Sequence, residues 1–272
     1  MSSNGDGALL DVRGVVKRFG GILALDETAF GVKRGSITAL IGPNGAGKTT
    51  LFHAVTGFYK PDRGDITFAG TPIAGKSPHS IANLGLVRTF QITKALTRMS
   101  VLENMLLAGS RQPGEQLWSL VFTPRAARQR EREIEEKAWE LLRLVRLDRL
   151  AHDYAGTLSG GQRKLLEFGR ALMTDPTLVL LDEPMAGVNP ALGLELLERM
   201  QQLRDEQGLT FLFIEHDMEV VMNVSERVIV MNEGHVIADG APDEVRTNEQ
   251  VVDAYLGAHR EGIEGETAAG TE

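Results

Sequence analysis

Residues Gly42-Pro43-Asn44-Gly45-Ala46-Gly47-Lys48-Thr49 follow the spacing G-x-x-x-x-G-K-[ST], with Thr50 directly after. Glycines at these positions let a backbone close around an anion, so that successive N–H groups and a helix N-terminus face phosphate oxygens. Lys48 would reach the β- and γ-phosphates of a nucleotide, and the Thr49 hydroxyl is a hard ligand suited to Mg²⁺. Further along, the apolar run Leu178-Val179-Leu180-Leu181 ends in Asp182-Glu183-Pro184. A carboxylate closing a buried strand is costly unless it is used. Asp182 is placed to orient a Mg²⁺ shell, and Glu183 to polarise an attacking water. Between them lies Leu158-Ser159-Gly160-Gly161-Gln162, a Ser-Gly-Gly turn at the start of a predicted helix from Gln162 to Thr174. Such a turn makes a second phosphate nest with a favourable helix dipole. Each element has a plainer reading: a glycine turn, two acids capping a strand, a helix cap. Two phosphate nests serving one nucleotide make sense when they come from two chains facing each other.

The elements that must hold these residues can be read from the apolar pattern. Ser36–Ile41, Leu178–Leu181 and Thr210–Ile214 are continuous apolar runs, each followed by a helical pattern, which predicts buried parallel strands in βα units. Leu10–Phe19 and Glu27–Val32 read as more exposed, antiparallel strands. Arg227–Met231 and His235–Ala238 flank Asn232-Glu233-Gly234, a hairpin signal. From about Val101 to Thr174 the pattern is almost entirely helical. There Ile134, Ala138, Leu141, Leu142 and Val145 share one helix face, while Arg128, Arg132, Glu136, Lys137 and Arg143 make the other a solvated face or a partner surface. The expected fold is therefore α/β: a mostly parallel core sheet, an antiparallel β subdomain, and a helical subdomain of about 95–174 inserted in the core. Residues 1–7 and 257–272 are small and polar and read as disordered ends around a single domain, 8–256.

Bulk composition excludes several classes. A net charge of -8 argues against binding a nucleic-acid backbone, which needs a basic face. With no cysteine there are neither disulfides nor thiolate metal sites. The polar N-terminus does not look like a secretory leader, and no apolar run approaches the roughly 20 residues that span a bilayer, so a soluble cytosolic chain is expected.

The glycine-rich loop, Leu-Ser-Gly-Gly-Gln and Leu-Leu-Asp-Glu-Pro, in this order and over most of residues 8–256, resemble the nucleotide-binding domain of ABC transporter ATPases. The resemblance implies ATP and Mg²⁺ as ligands and adds site residues. Gln91, in Arg88-Thr89-Phe90-Gln91, falls where that family has the glutamine that touches Mg²⁺ and couples to the membrane domain. His216 matches a histidine contacting the γ-phosphate. Phe19 matches an aromatic stacked on adenine, the alternative being a core phenylalanine. The chain departs from the family pattern after Pro184, where Asn189 stands for the usual loop aspartate. That Met185-Ala186-Gly187-Val188-Asn189-Pro190 loop, the run Lys76–Gln91, the segment Trp118–Pro124 and Tyr255-Leu256-Gly257 are similar to the larger, LivG-type ATPase of branched-chain amino acid uptake systems. The likeness implies a second, smaller ATPase subunit, two transmembrane permease subunits, an external substrate-binding protein reached indirectly, and a place on the cytoplasmic face of the membrane. Other cargo (urea, amides, lipid) and a soluble cluster-assembly ATPase are the alternatives.

Overall fold

The computed structural model describes residues 7–89, 96–109 and 124–255, the side chains of 124–127 aside. Expectations for residues 1–6, Gln91, the 118–123 stretch and the tail 257–272 lie outside the described residues. These residues form two compact units. The first takes the chain up to Ile81 and from Thr210 onward, and the second takes Ala82–Leu209.

The first unit opens with β1 (Ala8–Phe19) and β2 (Ile22–Lys33), then β3 (Ile37–Ile41), α1 (Lys48–Val55), β4 (Arg63–Phe68), β5 (Thr71–Pro72) and α2 (Pro78–Ala82). β2, β1, β4 and β5 form an antiparallel sheet in that order. These strands are better buried than the sequence reading expects. Leu10, Val12 and Val15 of β1, Leu25 and Val32 of β2 and Ile66 of β4 are all buried, because alternation gives each strand one apolar face. β2 also begins earlier than expected. Gly20, in the left-handed region at φ 58, turns the chain so that Phe19 pairs Ile22 and Arg18 pairs Leu23.

The second unit contains β6 (Leu86–Arg88), α3 (Val101–Gly109), α4 (Pro124–Leu144), α5 (Gly160–Leu172), β7 (Leu178–Asp182) and α6 (Pro190–Gln207). β6 and β7 run parallel, with Leu86 opposite Leu178 and Arg88 opposite Leu180. Leu178 to Leu181 are fully buried, the signature of a strand covered on both faces. The expected helical stretch is present in α3, α4 and α5, with single 3₁₀ turns at Asp148–Leu150 and Ala155–Thr157. Ala138, Leu142 and Val145 are buried, as the helix periodicity requires. On the opposite face Arg128, Arg132, Glu136 and Arg143 are exposed. Lys137 differs: its ammonium ion-pairs with Asp175 at 2.6 Å and donates to the Met173 carbonyl at 3.0 Å, pinning α4 to the end of α5. α5 starts two residues before the predicted Gln162, because Ser159 caps it.

The chain then re-enters the first unit with β8 (Thr210–Ile214), α7 (Met218–Val224), β9 (Arg227–Asn232), β10 (His235–Gly240) and α8 (Pro242–Arg246). β3 lies between β8 and β9, parallel to both, and β10 adds antiparallel to β9. All five residues of β3 and of β8 are buried. The β9–β10 turn places Glu233 and Gly234 at φ 46 and 82, which matches the left-handed pair of a tight hairpin. Its tip docks inward. The Gly234 N–H donates to the Ala46 carbonyl at 3.1 Å, and the Gly234 carbonyl accepts from the Thr28 hydroxyl at 2.6 Å. No helix among the described residues is long and apolar enough to cross a membrane.

Candidate functional site

In the first unit the glycine-rich loop leaves the C-terminal end of β3 and enters α1. Two glycines are there for space as well as conformation. A Cβ on Gly42 would lie 2.0 Å from the Met231 carbonyl oxygen, and one on Gly47 would lie 2.4 Å from that of Ala24. Both have positive φ, 147 and 95. The Ala46 N–H closes the turn onto the Pro43 carbonyl at 3.2 Å. Asn44 and Gly45 at the loop tip are exposed, as is Thr49, with Thr50 half-buried beside it. α1 has no side-chain cap and no acid in its first turn. α5, α6 and α7 are capped by Ser159, Asn189 and Asp217. An uncapped helix start at the end of a glycine loop keeps its N–H groups and positive dipole end for an anion. Lys48 folds back over the loop, donating to the carbonyls of Gly42 at 2.7 Å and Pro43 at 2.8 Å.

Phe19 ends β1 and is 40% exposed, so it is not a core phenylalanine. Its ring meets Tyr59 edge-on at 5.1 Å, and the Lys17 ammonium lies 5.4 Å from its centroid. Asp62 braces this strand end, accepting from the Arg18 N–H at 2.7 Å and from Lys17 at 3.0 Å. Those two donors hold the Asp62 carboxyl below its ordinary range, the Arg18 N–H having the larger effect. His216 follows β8 with its side chain 72% exposed, its Nδ1 3.7 Å from the buried carboxylate of Glu215. Neither Tyr59 nor Glu215 carries a sequence signal. The Tyr255 phenol is also drawn in: burial pushes its pKa up, and the Gly42 backbone acts in the opposite direction.

In the second unit Asp182 ends β7, its side chain 21% exposed, and ion-pairs with Arg88, whose side chain is only 4% exposed. Register explains the pairing, since Arg88 closes β6 beside β7, and the Thr89 N–H bonds the Leu180 carbonyl at 3.0 Å. Glu183 is exposed and left-handed at φ 48, a conformation costly for a residue with a side chain. A lysine that sequence reading passed over holds that turn. The Lys164 ammonium, one turn into α5, donates to the carbonyls of Glu183 at 2.9 Å, Pro184 at 3.5 Å and Ala186.

Ser159-Gly160-Gly161-Gln162 divides into two pairs. Ser159 and Gly160 are exposed. Gly161 is buried, and a Cβ there would press to 3.3 Å on Val188 and Leu192. Ser159 and Gln162 form a reciprocal capping box: the Ser159 hydroxyl accepts from the Gln162 N–H at 3.2 Å, and the Gln162 side chain accepts from the Ser159 N–H at 2.9 Å. Asn189 accepts from the Ala191 N–H at 2.9 Å as the cap of α6, a role that an aspartate fills equally well. Gln91 lies outside the described residues.

Among the described residues, no group of three or more His, Cys, Asp or Glu could hold a metal ion. The oxygen donors Thr49, in the first unit, and Asp182, in the second, are each of the type that Mg²⁺ accepts, an ion held through one or two protein oxygens with phosphate and water completing its shell.

A family model described as ABC transporter matches residues 25–186. A second, described as branched-chain amino acid ATP-binding cassette transporter, matches residues 235–261. The chain is 44% identical over 256 residues to a probable branched-chain amino acid transport ATP-binding protein of Archaeoglobus fulgidus, covering 94% of this chain and 98% of that one. It is 43% identical to a high-affinity branched-chain amino acid transport ATP-binding protein of Pseudomonas aeruginosa, covering 92% and 98%. A crystal structure of the ADP conformation of an ATP-binding cassette of an ABC transporter superposes with TM-score 0.79 at 40% identity, covering 92% and 99%. With the glycine loop, the Ser-Gly-Gly-Gln turn and the acidic strand end all in the family's order, the chain belongs to the ATP-binding subunits of ABC transporters, the ATPases that power transport.

Proposed function

We propose that this chain is the ATP-hydrolysing subunit of an ABC importer that takes branched-chain amino acids into the cell. One observation carries the cargo assignment. Beyond the nucleotide motifs, the C-terminal stretch 235–261 matches a model described as branched-chain amino acid ATP-binding cassette transporter.

In this reading the exposed face of Phe19 stacks on adenine. Gly42 to Thr50 wrap the phosphates, and Lys48 leaves its own loop carbonyls to bind the β- and γ-phosphates. Thr49 and Asp182 would hold Mg²⁺, with Gln91 as a further contact. When bound, Mg²⁺ neutralises charge on the phosphoryl group being transferred. Glu183 orients the attacking water and His216 contacts the γ-phosphate. Catalysis then rests on position and charge, with no covalent intermediate on the protein. Ser159-Gly160-Gly161-Gln162 would serve the nucleotide of a facing ATPase subunit, the exposed Ser159 and Gly160 meeting the phosphate while Gly161 and Gln162 hold the turn. ATP thereby joins two ATPase subunits, and hydrolysis lets them part. The partners in this reading are a second, smaller ATPase, two membrane-spanning permease subunits, and an external substrate-binding protein reached through them. They would hold the chain at the cytoplasmic face of the membrane.

Glu183→Gln tests the catalytic assignment. The variant is expected to bind ATP as tightly as wild type and to lose turnover by at least about a hundredfold. Turnover near that of wild type would remove Glu183 from its role.

A further inference from the structure

We propose that Arg88 is a positioning residue for Asp182, and that its guanidinium competes with the divalent cation of the nucleotide for that carboxylate. The proposal rests on the reading of Asp182 as a metal ligand.

Arg88 and Asp182 are 94 positions apart in the chain, yet they close adjacent parallel strands. The two charges therefore emerge at the same end of the β6–β7 pair. The cation is the more deeply buried partner, its side chain 4% exposed against 21% for the carboxylate. Arginine does not shed its proton, so a guanidinium at that depth needs a fixed anion. A guanidinium also fixes a carboxylate by direction as well as by charge. Asp182 is thus already aimed and neutralised by Arg88. A divalent cation at the same carboxylate has to share it with Arg88 and lies close to a positive charge that it cannot displace into water without uncovering a buried group. Two consequences follow. Arg88 weakens metal binding at Asp182, and it holds the carboxylate where the metal of a complete nucleotide site needs it.

The test uses the full chain with Mn²⁺ as a spectroscopic substitute for Mg²⁺, titrated by electron paramagnetic resonance at saturating ADP. Arg88→Gln is expected to tighten Mn²⁺ binding about fivefold or more, because a unit positive charge close to the metal is lost. ADP affinity in excess chelator should stay within about twofold of wild type, since Arg88 is not assigned to the nucleotide. Arg88→Lys keeps the charge but not the planar fork, so it should leave the Mn²⁺ affinity near that of wild type while lowering ATP turnover. If Arg88→Gln leaves Mn²⁺ binding unchanged or weaker, the competition is refuted. The lysine variant keeps the question answerable if the glutamine variant does not fold. Mn²⁺ binding tightened equally by lysine would also overturn the proposal. Asp182→Asn separates this idea from the one beneath it. If that change leaves Mn²⁺ binding intact, Asp182 is not a metal ligand. If it weakens binding while Arg88→Gln has no effect, only the role of Arg88 falls.

Discussion

Phe19 shows how much of this account turns on single side chains. Its neighbours are residues with other tasks: Tyr59 meets the ring edge-on, and Lys17 lies over it while also paired to Asp62. The exposed remainder is a flat apolar surface at a strand end that Asp62 keeps in place. Stacking a base on such a ring contributes roughly 1–3 kcal/mol. Phe19→Ala is therefore expected to weaken ATP binding by about five- to a hundredfold and to leave bare tripolyphosphate unaffected, measured by calorimetric titration of both. Equal losses for the two ligands would mean that the ring supports the loop and does not read the base. The brace itself has a pH limit. The Asp62 carboxyl is depressed, so its support is present above the ordinary carboxylate value of 3.8 and is lost only as pH falls through the lowered one. Neutral solutions leave it intact.

At the scale of elements, α5 does more than present a turn. Lys164 reaches from the start of α5 to three backbone oxygens, those of Glu183, Pro184 and Ala186, in the segment that follows β7, and that segment includes the left-handed Glu183. The helix that begins at Ser159 and the loop that carries the proposed base are thus one mechanical piece. Lys164→Met should lower kcat about tenfold or more with KM for ATP changed less than about threefold, and Lys164→Arg should restore part of the loss. An unchanged kcat in the methionine variant would show that the loop holds its conformation without the lysine. Such links mark the boundary of what the sequence makes legible. The buried strands of 37–41, 178–182 and 210–214 are visible as apolar runs, and the β9–β10 hairpin as Asn-Glu-Gly, because strand burial and tight turns leave local patterns. The glycine loop is legible for the same reason. Arg88 with Asp182, and Lys164 with the carbonyls after β7, are not. Their partners are set by register and helix packing across long sequence separations, and a charged residue on its own predicts only a solvated surface. Lys137, expected on a solvated face or partner surface, instead pins α4 to the end of α5. The early start of α5 and the packing role of Gly161 likewise depend on a cap and a neighbouring helix, which no period reveals.

At the scale of the whole molecule, the assigned groups are shared between the two units. The first holds Phe19, the glycine loop, Lys48 and His216. The second holds Asp182, Glu183 and Ser159–Gln162. The resemblance stated from the sequence, ABC ATPase first and branched-chain uptake second, agrees with the family models over 25–186 and 235–261. Neither unit alone carries all the residues assigned to nucleotide binding and hydrolysis. In the proposed mechanism work is extracted because the closed pair of ATPase subunits binds ATP better than the parted pair. The measurement that tests this most directly is uptake of labelled leucine by cells lacking this gene, complemented with the wild-type chain or with Glu183→Gln. Uptake restored by the wild type and not by the variant is the predicted result. Leucine, isoleucine and valine uptake that persists undiminished in the deleted cells would contradict the branched-chain assignment.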